Sequence, residues 1–231
     1  MVFETCRRIR HCTITLVITG LPEKSMNTKN DVIGNSGSSH CYLAALRRED
    51  WEIGNVSIPV ARELVKRFHY ARGAPNTRTY LHGMFPSGGF WETTCMGAAW
   101  WIPPTKTAAE ATYPENWQGV LALSRVVIHP DAPHNAASFL VGASMRIIDR
   151  ERWPCLVTYA DEWQGHTGAI YKATNWEERG KTAPEPTYVK NGRMIARKAG
   201  GRTRTHGEML AMGAECVGRF SRRKFVSVFA R

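Results

Sequence analysis

The stretch Val120-Leu-Ala-Leu-Ser-Arg-Val-Val-Ile128 is a nearly continuous apolar run, and it decides the fold. Such a run favours a central strand that is buried on both faces. His129 to Asn135 follows as a loop, and Ser138 to Arg150 has the apolar spacing of a helix. Cys155 to Ala160 is typical of a second buried strand. The segment therefore predicts a strand–loop–helix–strand unit at the centre of a mixed α/β sheet.

Upstream of this unit, helix and strand signals alternate. Ser57 is suited to cap a helix that has a proline in its first turn. Apolar residues then recur at spacing four, and the helix is predicted to end near His69. Thr77 to Phe85 and Phe90 to Ile102 are typical of two strands joined by a Pro-Ser-Gly-Gly turn.

Downstream, the pattern adds a short helix and further strands. His166 to Ala173 is predicted to be a short helix. Tyr188 to Ile195 places Asn191-Gly192 between apolar flanks, which is a strong signal for a hairpin. Phe225 to Phe229 alternates as a last strand would. The whole pattern indicates an α/β (α+β) fold in which helices flank a mixed central sheet.

The first part of the chain differs in composition from the rest. Residues 1 to about 40 end in a stretch rich in Asn, Gly and Ser, which predicts an appendage or linker before one folded domain over 41–231. The apolar stretch from Thr13 to Leu21 is too short for a membrane span of about 20 residues and lacks a clean cleavage site. We therefore expect a soluble protein of the cytoplasm. The oligomeric state stays open, and a dimer is possible.

The charge of the chain is strongly and unevenly basic. Its formal net charge is +11, and from Lys190 to Arg231 eleven Lys and Arg face two acids. A localised basic region favours an anionic partner such as double-stranded DNA, although a merely solvated basic surface would have the same composition. The candidate DNA-binding residues are Arg197, Lys198, Arg202, Arg204, Arg222, Arg223 and Lys224.

The six cysteines form no CxxC pair, so the sequence does not predict a zinc knuckle or ribbon. Their scattered spacing fits reduced thiols better than a disulfide scaffold. Cys95 and Cys155 lie in apolar runs, and we expect them to be small core residues.

Polar groups are dense just after the second central strand. Asp161 follows the strand, and His166 and Tyr171 come soon after it. Ligands of open α/β sheets bind beyond the carboxyl ends of strands, so these groups are candidates for acid–base work. Taken singly, a capping Asp and a packed Tyr are the simpler interpretations.

The loop after the first central strand leads into a helix N-terminus. Backbone N–H groups at such a place bind phosphate or pyrophosphate, which makes Asn135 and Ser138 candidate contacts. An ordinary crossover capped by Ser138 would give the same pattern, and spacing alone does not decide between the two.

Two stretches carry a family resemblance. Ser124-Arg125-Val126-Val127 and Gly168-Ala169-Ile170-Tyr171-Lys172-Ala173 resemble the core of GCN5-related N-acetyltransferases. The longer strings Phe68-His69-Tyr70 and Tyr159 to Trp176 resemble the Mom family of bacteriophage DNA-modification proteins, and that resemblance extends over essentially the whole chain.

The resemblance implies a fold, a donor site and a reaction. The acetyltransferase core implies that the central strand and the next helix bind acetyl-CoA or a related acyl donor, through Ser124, Arg125, Val127, Asn135 and Ser138. The phage family implies transfer of a carbamoylmethyl group to N6 of adenine in double-stranded DNA, which shields phage DNA from restriction in the host cytoplasm. The catalytic candidates are Asp161 or His69 as base, Tyr171 as acid and Tyr70 as a positioning group.

Two features leave the chemistry open. His134 to Phe139 contains no glycine where acetyltransferases carry one, so the donor need not be acetyl-CoA. A methylene transfer is also unusual, and His69, Asp161 and His166 form a candidate facial triad for iron. The alternatives are an acyl-CoA-dependent N-acetyltransferase of proteins or small amines, and a DNA-binding protein without enzymatic activity.

Overall fold

The computed structural model describes residues 46–89, 94–199 and 201–229. The appendage predicted for residues 1–40 and the beginning of the strand predicted from Phe90 lie outside the described residues. In the described part of the chain, each helix is too short or too polar to traverse a lipid bilayer.

A seven-stranded mixed sheet forms the centre of the fold, in the order β1-β2-β3-β4-β5-β12-β6. Only β4 and β5 are parallel, and the other neighbours in this sheet are antiparallel. The strands are β1 Trp51–Asn55, β2 Tyr80–Pro86, β3 Gly97–Ile102, β4 Val120–Ile128, β5 Cys155–Asp161, β6 Glu177–Lys181 and β12 Arg222–Val228. The predicted fold class, a mixed sheet flanked by helices, is confirmed.

Helices cover both faces of this sheet. They are α1 Ile58–Phe68, α2 Lys106–Glu110, α3 Ala136–Ile147 and α4 Ala169–Lys172. Leu64 on α1 belongs to one buried cluster with Trp100, and Leu140 on α3 belongs to another with Trp101. Successive residues of a strand point to opposite faces, so two adjacent tryptophans, each fully buried, anchor the two layers.

A polar network crosses the α3 side of the core. The Ser144 hydroxyl accepts a hydrogen bond from Trp101 Nε1 at 2.7 Å and lies 2.6 Å from His82 Nδ1. Since that hydroxyl proton is free to point at His82, both polar groups are satisfied. Burial lowers the pKa of His82 to about 4, so the ring is neutral at neutral pH. The network ties α3 to β2 and β3.

A small second sheet is inserted between β6 and β12. It consists of β7 Glu185–Lys190, β8 Arg193–Ile195 and β11 Glu215–Phe220, in the order β11-β7-β8. Between β8 and β11 lie β9 Lys198–Ala199, β10 Arg202–Thr203 and α5 His206–Ala211. The turn between β7 and β8 has Asn191 and Gly192 at φ 51° and 70°, which confirms the hairpin predicted from this dipeptide.

Several predicted boundaries differ from the structure. α3 begins at Ala136, so Asn135 rather than Ser138 occupies the N-cap. β3 begins at Gly97, because the residues just before it pair only through isolated bonds such as Met96 N to Met84 O. β4, β5 and α1 lie within about two residues of their predicted positions. Cys95 and Cys155 are buried, as predicted.

Gly168 provides a direct test of this packing. It adopts a φ of +78°, and an added Cβ would lie 2.1 Å from Phe225 Cζ in the core. We expect Gly168→Ala to lower the free energy of unfolding by about 2–4 kcal/mol, through left-handed strain and overpacking together. Urea unfolding measures the change.

Gly165→Ala is the matched control. Gly165 has a similar φ of +71° but no atom within 4 Å of the added Cβ. This variant should therefore lose only the strain contribution, about 1 kcal/mol. Equal losses for the two variants would contradict the close approach of Gly168 to Phe225.

Candidate functional site

The candidate site is a cavity of about 380 Å³ that opens where β4 and β5 part. The two strands pair for three residues only, Val120–Ala122 with Cys155–Val157. Beyond this point the β4 edge from Leu123 onwards forms one wall of the cavity. The other walls come from β5, from the loop before α4 with α4 itself, and from the segment after α1.

A break in the β3–β4 pairing accompanies this opening. Trp100 pairs with Arg125 and Trp101 with Leu123, so Ser124 is an extra residue on β4. Such a bulge bends its strand and increases the local twist. Ser124 and Arg125 both line the cavity, and their contact with the donor stays a prediction.

Thr158 bridges the two parted strands. Its hydroxyl donates to the Leu123 carbonyl at 3.1 Å. The Tyr171 phenol hydrogen-bonds to the Thr158 side chain, and burial raises the pKa of Tyr171 above its ordinary value. Tyr171 therefore keeps its proton at neutral pH and can donate it. The sequence signal for Thr158 was a single polar residue in a buried apolar strand, and our sequence reasoning missed it.

Two aromatic residues after α1 form the opposite wall. The His69 and Tyr70 rings stack at 4.4 Å between centroids, and the Tyr70 ring meets His166 edge-on at 5.4 Å. His69 Nδ1 accepts a hydrogen bond from Ala71 N at 3.1 Å. Burial, with Arg125 and His166 nearby, lowers the pKa of His69 to about 4. The neutral ring then carries its proton on Nε2, which is suited to donate a hydrogen bond rather than to accept a proton.

Asp161 ends β5 at the rim of this region. It is 8% exposed, and its Oδ1 accepts from Trp163 N at 3.1 Å, so it caps the short turn that follows. Burial raises the pKa of Tyr70, and Asp161 lies close enough to raise it further, while Arg125 and Arg222 lower it. A carboxylate, a phenol and two guanidinium groups thus meet at one end of the sheet.

Arg125 holds the segment after α1 that carries His69 and Tyr70. Its guanidinium donates to the Gly73 carbonyl at 2.9 Å and to the Ser124 carbonyl at 2.7 Å. Burial lowers the pKa of this guanidinium from its ordinary value, although such a group stays charged at neutral pH. Arg125 therefore links β4 to the segment that carries His69 and Tyr70.

Three of the predicted donor contacts are not at this cavity. The Val127 side chain packs in the α1 cluster, because it points to the opposite face from Val126 and Ile128. Asn135 and Ser138 line a second cavity, of about 740 Å³, on the other side of α3. The Ser138 hydroxyl donates to the Asn135 carbonyl at 3.0 Å and so stays within the helix terminus.

The structure does not support the candidate iron triad. Among the described residues, no three His, Cys, Asp or Glu side chains converge as a metal-ligand group. Asp161 Oδ1 is turned to the Trp163 amide, and His69 Nδ1 to the Ala71 amide. His69, Asp161 and His166 therefore adjoin the site without forming a facial triad.

The predicted DNA-binding cations differ in how they are engaged. Arg202 pairs with Glu208, and Arg223 with Glu162 and Glu178. Further contacts join Arg222 to Glu185, Lys224 to the Ala111 carbonyl, and Arg197 to the Arg204 carbonyl. Many of these cations therefore contact other groups of the same chain. The sequence alone could not distinguish them from cations that are available to a partner.

Comparison with solved structures returns acetyltransferases. The chain is similar to the ribosomal-protein-S18-alanine N-acetyltransferase of Escherichia coli, with a TM-score of 0.47 and 10% identity, over 78% of this chain and 95% of that one. It is also similar to the ribosomal-protein-S5-alanine acetyltransferase of Vibrio fischeri, with a TM-score of 0.47 and 6% identity, over 80% and 96% of the two chains.

Comparison at the level of sequence is more specific. The methylcarbamoylase Mom of Escherichia phage Mu is 26% identical over 167 residues, which cover 69% of this chain and 65% of that protein. The match therefore spans just under two thirds of the relative's length. Residues 50–227 match the model of the Mom protein family. Since this match extends over most of the chain, the chain belongs to the Mom protein family.

Proposed function

We propose that this protein is a transferase that modifies adenine in double-stranded DNA. The product would be N6-(carbamoylmethyl)adenine, and the modification would protect phage DNA from restriction in the host cytoplasm. Membership of the Mom family supports this proposal, as does a relative named for methylcarbamoylation. The observation that carries it is the cavity at the parting of β4 and β5, which Tyr70 and Tyr171 line and beside which Asp161 ends β5.

The chemistry of the adenine N6 amine determines which catalytic groups the protein must provide. The N6 lone pair of adenine is delocalised into the ring, and the base is buried in the stack, so the base must be extruded and a proton removed. We assign Asp161 to take that proton, because its carboxylate lies close to Tyr70 at the end of β5 and neutral His69 presents an N–H. Tyr171 retains a proton that it can give to a leaving group.

The donor site fits acetyl-CoA or a related acyl donor in two respects. Among the described residues, no strand pairs with the β4 edge beyond Ala122 on the β5 side, so its backbone groups can bond an extended chain. Asn135 adopts a φ of +69°, the left-handed conformation that glycine usually provides. The first-turn amides of Ala137 and Ser138 have no helix carbonyl to bond and can meet a phosphate. Acyl transfer itself would place a carbonyl on N6, so the donor that gives N6-(carbamoylmethyl)adenine would have to present a CH2 carbon for N6 to attack. The N6 proton would then pass to the base, and the departing group would take a proton from Tyr171.

The rival functions make different predictions about DNA. An acyl-CoA-dependent N-acetyltransferase of proteins or small amines would leave nucleosides unchanged and would bind acetyl-CoA. A DNA-binding protein without activity would bind the duplex and also leave its nucleosides unchanged. Chemical analysis of DNA therefore separates the proposal from both rivals.

We expect expression in a bacterial host to change the host's adenine. The DNA is digested to nucleosides and analysed by mass spectrometry, with an empty vector as control. A deoxyadenosine heavier by one carbamoylmethyl group is the expected result. Soluble, folded protein that leaves every nucleoside unchanged would contradict the proposal.

Asp161→Asn should abolish modification without unfolding the protein. Asparagine keeps the oxygen that accepts from Trp163 N but cannot take a proton, and loss of a general base costs roughly 10²–10⁴-fold in rate. Asp149→Asn is the matched control, since Asp149 also accepts from backbone amides, those of Glu151 and Arg152, outside the cavity. Full activity of Asp161→Asn would remove Asp161 from the mechanism.

Tyr171→Phe should lower the modification rate by roughly 10²-fold or more, because the proton donor is lost. The ring still packs against Trp176 and Phe225, so circular dichroism should stay native. Tyr113→Phe, which removes a phenol outside the cavity, controls for the substitution. A variant with unchanged rate would show that Tyr171 serves packing alone.

A further inference from the structure

The insert between β6 and β12 is a separate small fold. Its three-stranded sheet and α5 enclose their own buried cluster of Tyr188, Met209 and Ala214, with Ile195 against it. From Glu185 to Phe220 it contains seven Lys and Arg against three Glu. A small module with its own core and a basic excess can act as a recognition element.

Its most basic part is a two-stranded ribbon. Strands β9 and β10 pair with each other, Arg202 with Ala199 and Thr203 with Lys198, and within the described residues they join no other sheet. The Arg197 guanidinium donates twice to the Arg204 carbonyl, from Nε at 3.1 Å and Nη2 at 3.0 Å, and closes the base of the ribbon.

The ribbon is braced against α5. Arg202 pairs with the Glu208 carboxylate at 2.7 Å. Glu208 in turn accepts from Thr205 N while Thr205 accepts from Glu208 N, so the same carboxylate caps the helix. Arg197 and Arg202 therefore set the direction of the ribbon, and their positive charges are already engaged.

Two other cations of the module lack such engagement. Lys198 on the ribbon and Arg193 on β8 are exposed, and no carboxylate in the described part of the chain pairs with either one. Arg193 also borders a shallow cavity of about 470 Å³ beside the β7–β8 turn, together with Lys190 and Asn191. Lys198 and Arg193 are therefore available to contact phosphates.

The module joins the sheet at the end that carries the site. β12 begins at Arg222 directly after the insert, and Arg222 pairs in register with Asp161. The guanidinium of Arg222 lies near enough to Tyr70 to lower its pKa. A duplex held by the insert would therefore lie at the same end of the sheet as the candidate cavity.

We propose that the insert is the duplex-docking element and that the β9–β10 ribbon enters the DNA major groove. In this arrangement Lys198 and Arg193 contact the backbone phosphates. The inference rests on the proposed function for its choice of DNA as partner. The major groove, about 12 Å wide, admits a two-stranded ribbon, and it is the groove in which adenine exposes N6.

Binding of a fluorescent duplex, followed by anisotropy over a salt series, tests the role of the cations. The double variant Arg193→Ala/Lys198→Ala should bind roughly tenfold more weakly near physiological salt. Its slope of log K against log salt should be shallower by about 2, one for each lost phosphate contact. The control Arg62→Ala/Lys66→Ala removes the same charge from exposed positions on α1 and should keep the parent slope. Equal slopes for the two variants would overturn the proposal.

Groove ligands test where the ribbon lies. Methyl green occupies the major groove and distamycin the minor groove. Methyl green should displace the parent protein at lower concentration than distamycin does, and the reverse order would overturn the major-groove placement. Neither measurement needs catalysis, so both test the DNA contacts of the insert even if host nucleosides are unchanged. Conversely, modified adenine with parent-like binding by Arg193→Ala/Lys198→Ala would refute the docking element alone.

Discussion

The parting of β4 and β5 is the constraint on which the site depends. Two parallel strands pair over three residues and then separate, and in the described part of the chain the separation leaves backbone groups of β4 without a strand partner. The bulge at Ser124 bends β4, and the Thr158 hydroxyl bonds the Leu123 carbonyl across the gap. The bulge and this hydrogen bond therefore fix the shape of the opening, and the cavity between the strands is part of the sheet structure.

In the proposed reaction, the groups around this opening would have different chemical roles. Tyr171, raised in pKa by burial, lies on the α4 side, and neutral His69 stacks with Tyr70 on the α1 side. Asp161 ends β5. The basic insert enters the sheet opposite that residue, so the proposed duplex recognition and the proposed proton transfer would take place at one end of a single sheet.

The sequence predicted the central elements well because their signals are local. An apolar run marks β4, and Asn191-Gly192 marks the β7–β8 hairpin. It failed where tertiary contacts decide the outcome. β9, β10 and β11 are short and mostly exposed, so they carry little hydrophobic periodicity. The placement of α3 divides the predicted donor contacts between two cavities. The register of β12 brings Arg223 to acids that are distant in the sequence.

Hydrogen exchange of the β4 backbone amides tests the parting of the strands most directly. The amides of Leu123–Ile128 that do not bond to β3 should exchange faster than those of Val120–Ala122, which pair with β5. Uniform protection along β4 in the free protein would contradict the account.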